Sequence, residues 1–174
     1  MHRAIILLGL SLLPAAAAAT TSTATAGACS ASEHRQFDFW VGHWDVYPTG
    51  TNKLVAHSLI ERLYGGCAIR ENWMPLGGAG GGSLSSYVPE ARQWKQTWVD
   101  SHAARVDFTG GYARGAMVLT GFWRDVAGPG KSGLVRMTYT RGSDGSVRQK
   151  GDMSTDRGRH WSAAFDFTYR PAAG

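Results

Sequence analysis

From residue 43 onward the chain alternates apolar and polar positions in short runs, and glycine interrupts nearly every run. Stretches rich in Val, Thr, Tyr, Trp and Phe fall at 43–47, 54–63, 67–74, 83–88, 94–100, 104–109, 113–124, 133–141, 147–154 and 160–170. A period of two is the mark of half-buried strands. Between the runs lie turn-forming residues: Gly65-Gly66, Gly110-Gly111, Gly128-Pro129-Gly130 and Asp144-Gly145. Ten strands joined by short links predict an all-β fold, a single antiparallel up-and-down barrel whose closure removes exposed edges. One short helix is expected ahead of it. Ser30 and Glu33 have capping-box spacing, and Phe37 and Trp40 lie three apart on one helical face, so the segment is expected to plug one end of the barrel.

The first residues have the order of a secretory signal. Arg3 precedes an apolar run over 4–13, and Pro14 and a tract of alanines follow, with several A-x-A cleavage sites. The run is too short for a membrane-spanning helix, which takes roughly 20 residues. The expected division is therefore a signal peptide and leader over 1–28 and a barrel domain over 29–174, in the periplasm or secreted.

The chain has two cysteines, Cys29 and Cys67. In an exported domain one pair most simply makes one disulfide. The competing reading is a lipidated Cys29, because Ala26-Gly27-Ala28-Cys29 faintly resembles a lipobox. That motif lacks Leu three residues before the Cys and stands far beyond the apolar run.

Charge adds little. Residues 1–28 carry Arg3 alone, so the remainder holds 17 of the 18 basic residues against 13 acidic ones, a net +4. The basic residues are scattered without a Lys/Arg run, which argues against nucleic-acid binding.

Alternation indicates which residues share a face. Cys67, Ile69, Glu71 and Trp73 do so, as do Trp94, Gln96, Trp98 and Asp100, and Val147, Gln149 and Met153. On the last strand Trp161, Ala163, Phe165, Phe167 and Tyr169 form the most continuous apolar face. Apolar walls with a few amides and carboxylates are the character of a ligand cavity. The candidate ligand-binding residues are Glu71, Trp73, Gln96, Trp98, Asp100, Arg136, Arg148 and Gln149. Either arginine would suit an anionic head group if it faced inward, and a one-residue register shift decides that. The bland alternative is that Glu71, Gln96 and Gln149 simply hydrogen-bond to Arg70, Arg136 or Arg148 on or in the barrel wall.

Other motifs are weak. Gly130-Lys131-Ser132 has Asp125 where a P-loop needs glycine, and a strand follows where a helix is required. Gly81-Gly82-Ser83-Leu84-Ser85 lacks the last glycine of a nucleophile elbow. Asp100-Ser101-His102 are sequence neighbours and cannot readily form a triad. His34, His43, His57, His102 and His160 are dispersed, so no metal site and no catalytic residue is assigned and no cofactor is expected. The glycine-rich stretch 77–82 reads as a hairpin loop or a flexible lip.

The strings Glu33-His34-Arg35-Gln36-Phe37-Asp38-Phe39-Trp40-Val41-Gly42, Trp44-Asp45-Val46, Gly66-Cys67, Glu71-x-Trp73, Gln96-x-Trp98-Val99-Asp100, Val147-Arg148-Gln149 and Phe165-Asp166-x-x-Tyr169-Arg170 carry a resemblance. The chain resembles a family of small exported bacterial proteins, a domain of unknown function placed among the lipocalin-like (calycin) barrels. The resemblance spans about 29–170 and implies a fold without an established activity. His43 departs from it, since an acidic residue often stands before the tryptophan. In the wider group the Gly-x-Trp tryptophan packs under a late arginine at the closed end. That likeness implies a structural plug of Trp40 and Trp44 with Arg170 stacked on Trp44.

The leading expectation is an exported barrel, monomer or weak dimer without a transmembrane segment, that binds a small, partly hydrophobic or anionic molecule. The alternatives are a cavity enzyme with Glu71 or Asp100 as general base, an envelope interaction module with a filled barrel, and a nitrobindin-like haem protein using His160, His57 or His102.

Overall fold

The computed structural model describes residues 27–126 and 128–173. The expected signal segment, apart from its last two residues, lies outside them. Ten strands follow one another: β1 Gly42–Pro48, β2 Ala56–Leu63, β3 Ala68–Pro75, β4 Gly81–Val88, β5 Gln93–Asp100, β6 Arg105–Ala113, β7 Ala116–Trp123, β8 Gly133–Arg141, β9 Val147–Ser154 and β10 Ser162–Pro171. Each pairs antiparallel with its sequence neighbour, and β10 returns to β1 to close the barrel. All ten expected strands are present. Among the described residues no helix is long and apolar enough to cross a membrane.

One expected turn is displaced. Gly110-Gly111 does not end a strand: β6 runs through both glycines to Ala113, and the reversal falls at Arg114 and Gly115 (φ +52° and +81°). Two successive positive φ values are the geometry of a tight hairpin turn. Gly110 is needed for closeness instead, because a Cβ there would strike the Val118 carbonyl on β7.

The segment before β1 is two short 3-10 turns, Ser32–Arg35 and Asp38–Trp40, rather than one helix. The expected capping box does not form: no side chain caps the first turn, and Glu33 accepts from Ser32 Oγ at 3.1 Å. The plugging role is met. Phe37 and Trp40 are fully buried and stack at 4.9 Å, with Tyr139 against both rings. Burying each such aromatic is worth about 1.5–3 kcal/mol. Trp44 Nε1 donates to the Trp40 carbonyl at 2.9 Å, fixing where the chain enters the barrel.

A disulfide joins Cys29, ahead of the plug, to Cys67 at the threshold of β3. A cysteine held in this bond has no thiol for a lipid, so the bond supports the disulfide reading of Cys29 over the lipidated one. The bridge pins the plug to the rim.

Arg170 does not stack on Trp44. It lies 4.4 Å from the Tyr47 ring and donates to Asn52 Oδ1 at 2.9 Å and the Thr51 carbonyl at 3.1 Å. Register explains the difference. Arg170 pairs with Asp45, so it shares the outer face, whereas Trp44 points inward.

Candidate functional site

Large residues pack the plugged end, and small ones leave space beyond them. Ala56, Ser58, Ser83, Ser85, Gly121 and Gly151 occupy inward positions on β2, β4, β7 and β9. The result is a cavity of about 330 Å³ at the end opposite the plug, near the small end of the typical range of roughly 300–1,000 Å³. Its walls are mainly aromatic: Trp73, Trp98, Phe108, Trp123, Phe165 and Phe167. The rings brace one another, with Trp98 against Trp123 at 6.2 Å, Trp73 against Phe167 at 5.7 Å and Phe165 stacked on Phe167 at 5.7 Å.

The polar groups gather at the inner end of this space. Glu71 on β3 is only 5 % exposed. It accepts from Ser83 Oγ on β4 at 3.1 Å and from Ser58 Oγ on β2 at 3.3 Å. From across the barrel the Tyr169 hydroxyl approaches to 3.4 Å. That hydroxyl has one proton, and it points to Gln149 Oε1 at 2.7 Å, the shorter contact. Gln149 in turn donates to the Tyr139 hydroxyl at 3.0 Å. Gln96 donates to Ser85 at 3.0 Å in a cross-strand pair.

Burial pushes the Glu71 carboxyl up to about 7, and the hydroxyls of Ser83 and Ser58 offset it only partly. Burial and the nearby carboxylate hold the Tyr139 and Tyr169 phenols well above their ordinary value, so both remain protonated. A carboxyl poised near neutrality can give up or take a proton on a bound molecule.

Glu71, Trp73, Gln96, Trp98 and Gln149 all face the cavity, as their strand alternation indicates. Three expected members do not. Asp100 ends β5, and its Oδ1 accepts from the N–H groups of His102 and Ala104 at 2.9 and 3.0 Å, which ties it to the turn into β6. Arg136 points outward between the inward Val135 and Met137; it lies 4.2 Å from the Trp161 ring and 3.6 Å from Asp152. Arg148 is on the outer face as well, bound through Nε to Asp166 at 2.8 Å.

The apolar face expected on the last strand is broken. A bulge between Ala163 and Phe165 inverts the alternation, leaving Phe165, Phe167 and Tyr169 inside and placing Ala163 outside opposite Asp152. Trp161 sits beyond the strand, under Arg136.

Among the described residues no histidine lines the cavity, which argues against the haem variant. His57 bonds Asp45 at 2.7 Å on the outer face, and His160 bonds Asp156 at 2.6 Å in an exposed loop. His102 is exposed in the turn after β5. Asp156 is held well below the usual carboxylate range by the backbone and side chain of His160 and by Ser154.

Trp123, Tyr139, Ser58 and Ser83 belong to the site without having been singled out. The Val135, Met137, Tyr139 alternation carries the signal for Tyr139. Serines give none, because an inward serine and an outward one read alike.

No model of a known protein family matches the chain, and no curated protein matches its sequence.

Proposed function

We propose that this protein is an exported, lipocalin-like barrel that binds one small, largely apolar molecule in the cavity opposite its plug. The observation that carries this reading is the 330 Å³ space walled by braced aromatic rings, with a buried carboxyl at its inner end. Such a mixture binds through apolar contact and orients through a few polar groups. Export is supported by the order of residues at the N-terminus and by the Cys29–Cys67 disulfide, which suits an oxidising compartment. The anionic ligand loses its basis, because Arg136 and Arg148 face away from the cavity. Native mass spectrometry of protein purified from its producing organism tests the reading. The expected spectrum has a bound small molecule that leaves on activation; a bare chain that also takes up no added apolar compound would contradict it.

A second reading has one specific observation in its favour. The Glu71 carboxyl titrates near 7 beside a cavity, which suits a general base that moves a proton on a bound apolar substrate. This enzyme would lose turnover in Glu71→Gln while keeping substrate binding. Loss of both together would assign Glu71 to binding alone.

A further inference from the structure

We propose that the molecule held in this cavity is a lipophilic cation, an ammonium group on an aromatic or branched aliphatic body, with the ammonium seated at Glu71 and the body between the tryptophan walls. The inference rests on the ligand-binding reading above and names the chemical class of the guest.

Glu71 is the one carboxylate on the cavity wall, and among the described lining residues there is no Lys, Arg or His to neutralise it. The groups facing it are all uncharged: Ser58 from β2, Ser83 from β4, Tyr169 from β10, with Gln149 of β9 and Tyr139 of β8 behind. The nearest arginines along β2 and β3 are engaged elsewhere, Arg70 with Glu61 and Arg62 with Asp38. A buried carboxylate without a cation is costly, and the structure supplies none.

The carboxyl also has unused capacity. Its hydroxyl partners stand at 3.1–3.4 Å. Hydroxyls bound firmly to a carboxylate approach to roughly 2.5–2.7 Å. Each carboxylate oxygen can take about two donors, and Oε2 has one, Ser83. A guest ammonium therefore meets a loosely held acceptor.

The walls favour the same charge. Trp73 lies 6.3 Å from Tyr169 and 5.7 Å from Phe167, and all three rings line the same cavity as Glu71. The negative face of an aromatic ring attracts a cation, and repels an anion, most strongly where water is excluded. A quaternary ammonium donates no hydrogen bond but still pairs with the carboxylate through charge.

Proton balance gives the inference a signature. Burial holds Glu71 largely protonated below about 7. A cation binds the ionised form, so the carboxyl releases its proton to solvent and affinity rises with pH. A neutral guest that accepts the carboxyl proton gives the opposite slope.

The experiment uses N-phenyl-1-naphthylamine, a neutral environment-sensitive dye, displaced by three compounds of similar shape: phenyltrimethylammonium, tert-butylbenzene and benzenesulfonate. At about pH 8 the ammonium is expected to bind roughly tenfold more tightly than its neutral isostere, with benzenesulfonate weakest. The advantage, read as the ratio of ammonium to tert-butylbenzene affinity, should shrink at about pH 5.5 and vanish in Glu71→Gln. If Glu71→Gln does not fold, the wild-type pH slope for the ammonium decides alone. Dye binding with tert-butylbenzene or benzenesulfonate equal to or better than the ammonium overturns the cationic guest while leaving the cavity reading intact. Absence of binding by dye and competitors alike overturns the cavity reading, and this inference with it.

Discussion

The hydroxyl of Tyr169 donates to Gln149 Oε1 at 2.7 Å and stands 3.4 Å from Glu71. The phenol's one proton is thereby committed to the amide, and Glu71 is left with two serine hydroxyls. A proton on Glu71 can instead be given to the Tyr169 oxygen. The buried carboxyl is thus arranged to be neutral, which agrees with its upward displacement by burial.

Stability should record this. The folded protein keeps the Glu71 proton up to about 7, whereas an unfolded glutamate gives it up near 4.5. The folded state therefore holds the extra proton between those values. Its stabilising contribution is full below about 4.5 and is lost as pH rises through about 7. Glu71→Gln, which cannot ionise, should gain on wild type by on the order of 3 kcal/mol between those limits. Urea unfolding of both proteins across this range checks it. A constant difference would mean that Glu71 titrates as an ordinary glutamate.

The plug provides a second test. Trp44→Phe removes the donor to the buried Trp40 carbonyl and should cost about 1–3 kcal/mol. Arg170→Ala removes only an exposed stack on Tyr47 and surface hydrogen bonds, and should cost less than about 1 kcal/mol. The double variant should be additive within about 0.5 kcal/mol, as expected for side chains on opposite faces of the wall. Coupling above about 1 kcal/mol would restore the direct contact that the register excludes.

Breaking the Cys29–Cys67 bridge releases the plug from the rim over a sequence separation of 38. Loss of about 2–4 kcal/mol is expected in the double Cys→Ser variant, by chain-entropy reasoning. Because Phe37 and Trp40 still fill the closed end, barrel circular dichroism should persist below the lowered midpoint. A chain with no strand signal at low denaturant would show that the bridge is required for the barrel itself.

Gly151 faces inward beneath the Phe165 ring, which occupies the space a Cβ would take. Gly151→Ala should displace the ring, cost about 1–3 kcal/mol and narrow the cavity. Urea midpoints and dye affinity should therefore fall together. Unchanged dye affinity in a destabilised variant would indicate that Phe165 moves away from the cavity.

The strands were legible because glycine turns separate runs whose alternation is clean. The same alternation placed Glu71, Gln96 and Gln149 inside, each between outward polar neighbours. It failed where one residue changes the count. The bulge before Phe165 sends Ala163 outward, and nothing in Ser162-Ala163-Ala164 announces it. Likeness to other barrels stacks Arg170 on Trp44, whereas its opposition to Asp45 depends on the register, which alternation alone does not set. Ser58 and Ser83 stayed hidden because a hydroxyl suits either face. The cavity itself arises from small inward residues, whose significance depends on what stands across the barrel.

An internal binding site is tested most directly by narrowing its entrance from one of two neighbouring positions. Ala164 is exposed and lines the cavity, whereas Ala163 is exposed on the outer face opposite Asp152. Saturable one-to-one binding of N-phenyl-1-naphthylamine, with a blue-shifted emission, is expected for the wild type and for Ala163→Trp. Ala164→Trp, folded to the same extent by circular dichroism, should lose it by at least about tenfold, since the indole fills space the guest needs. Equal binding by all three proteins, or no saturable binding by any, would contradict a ligand site inside the barrel.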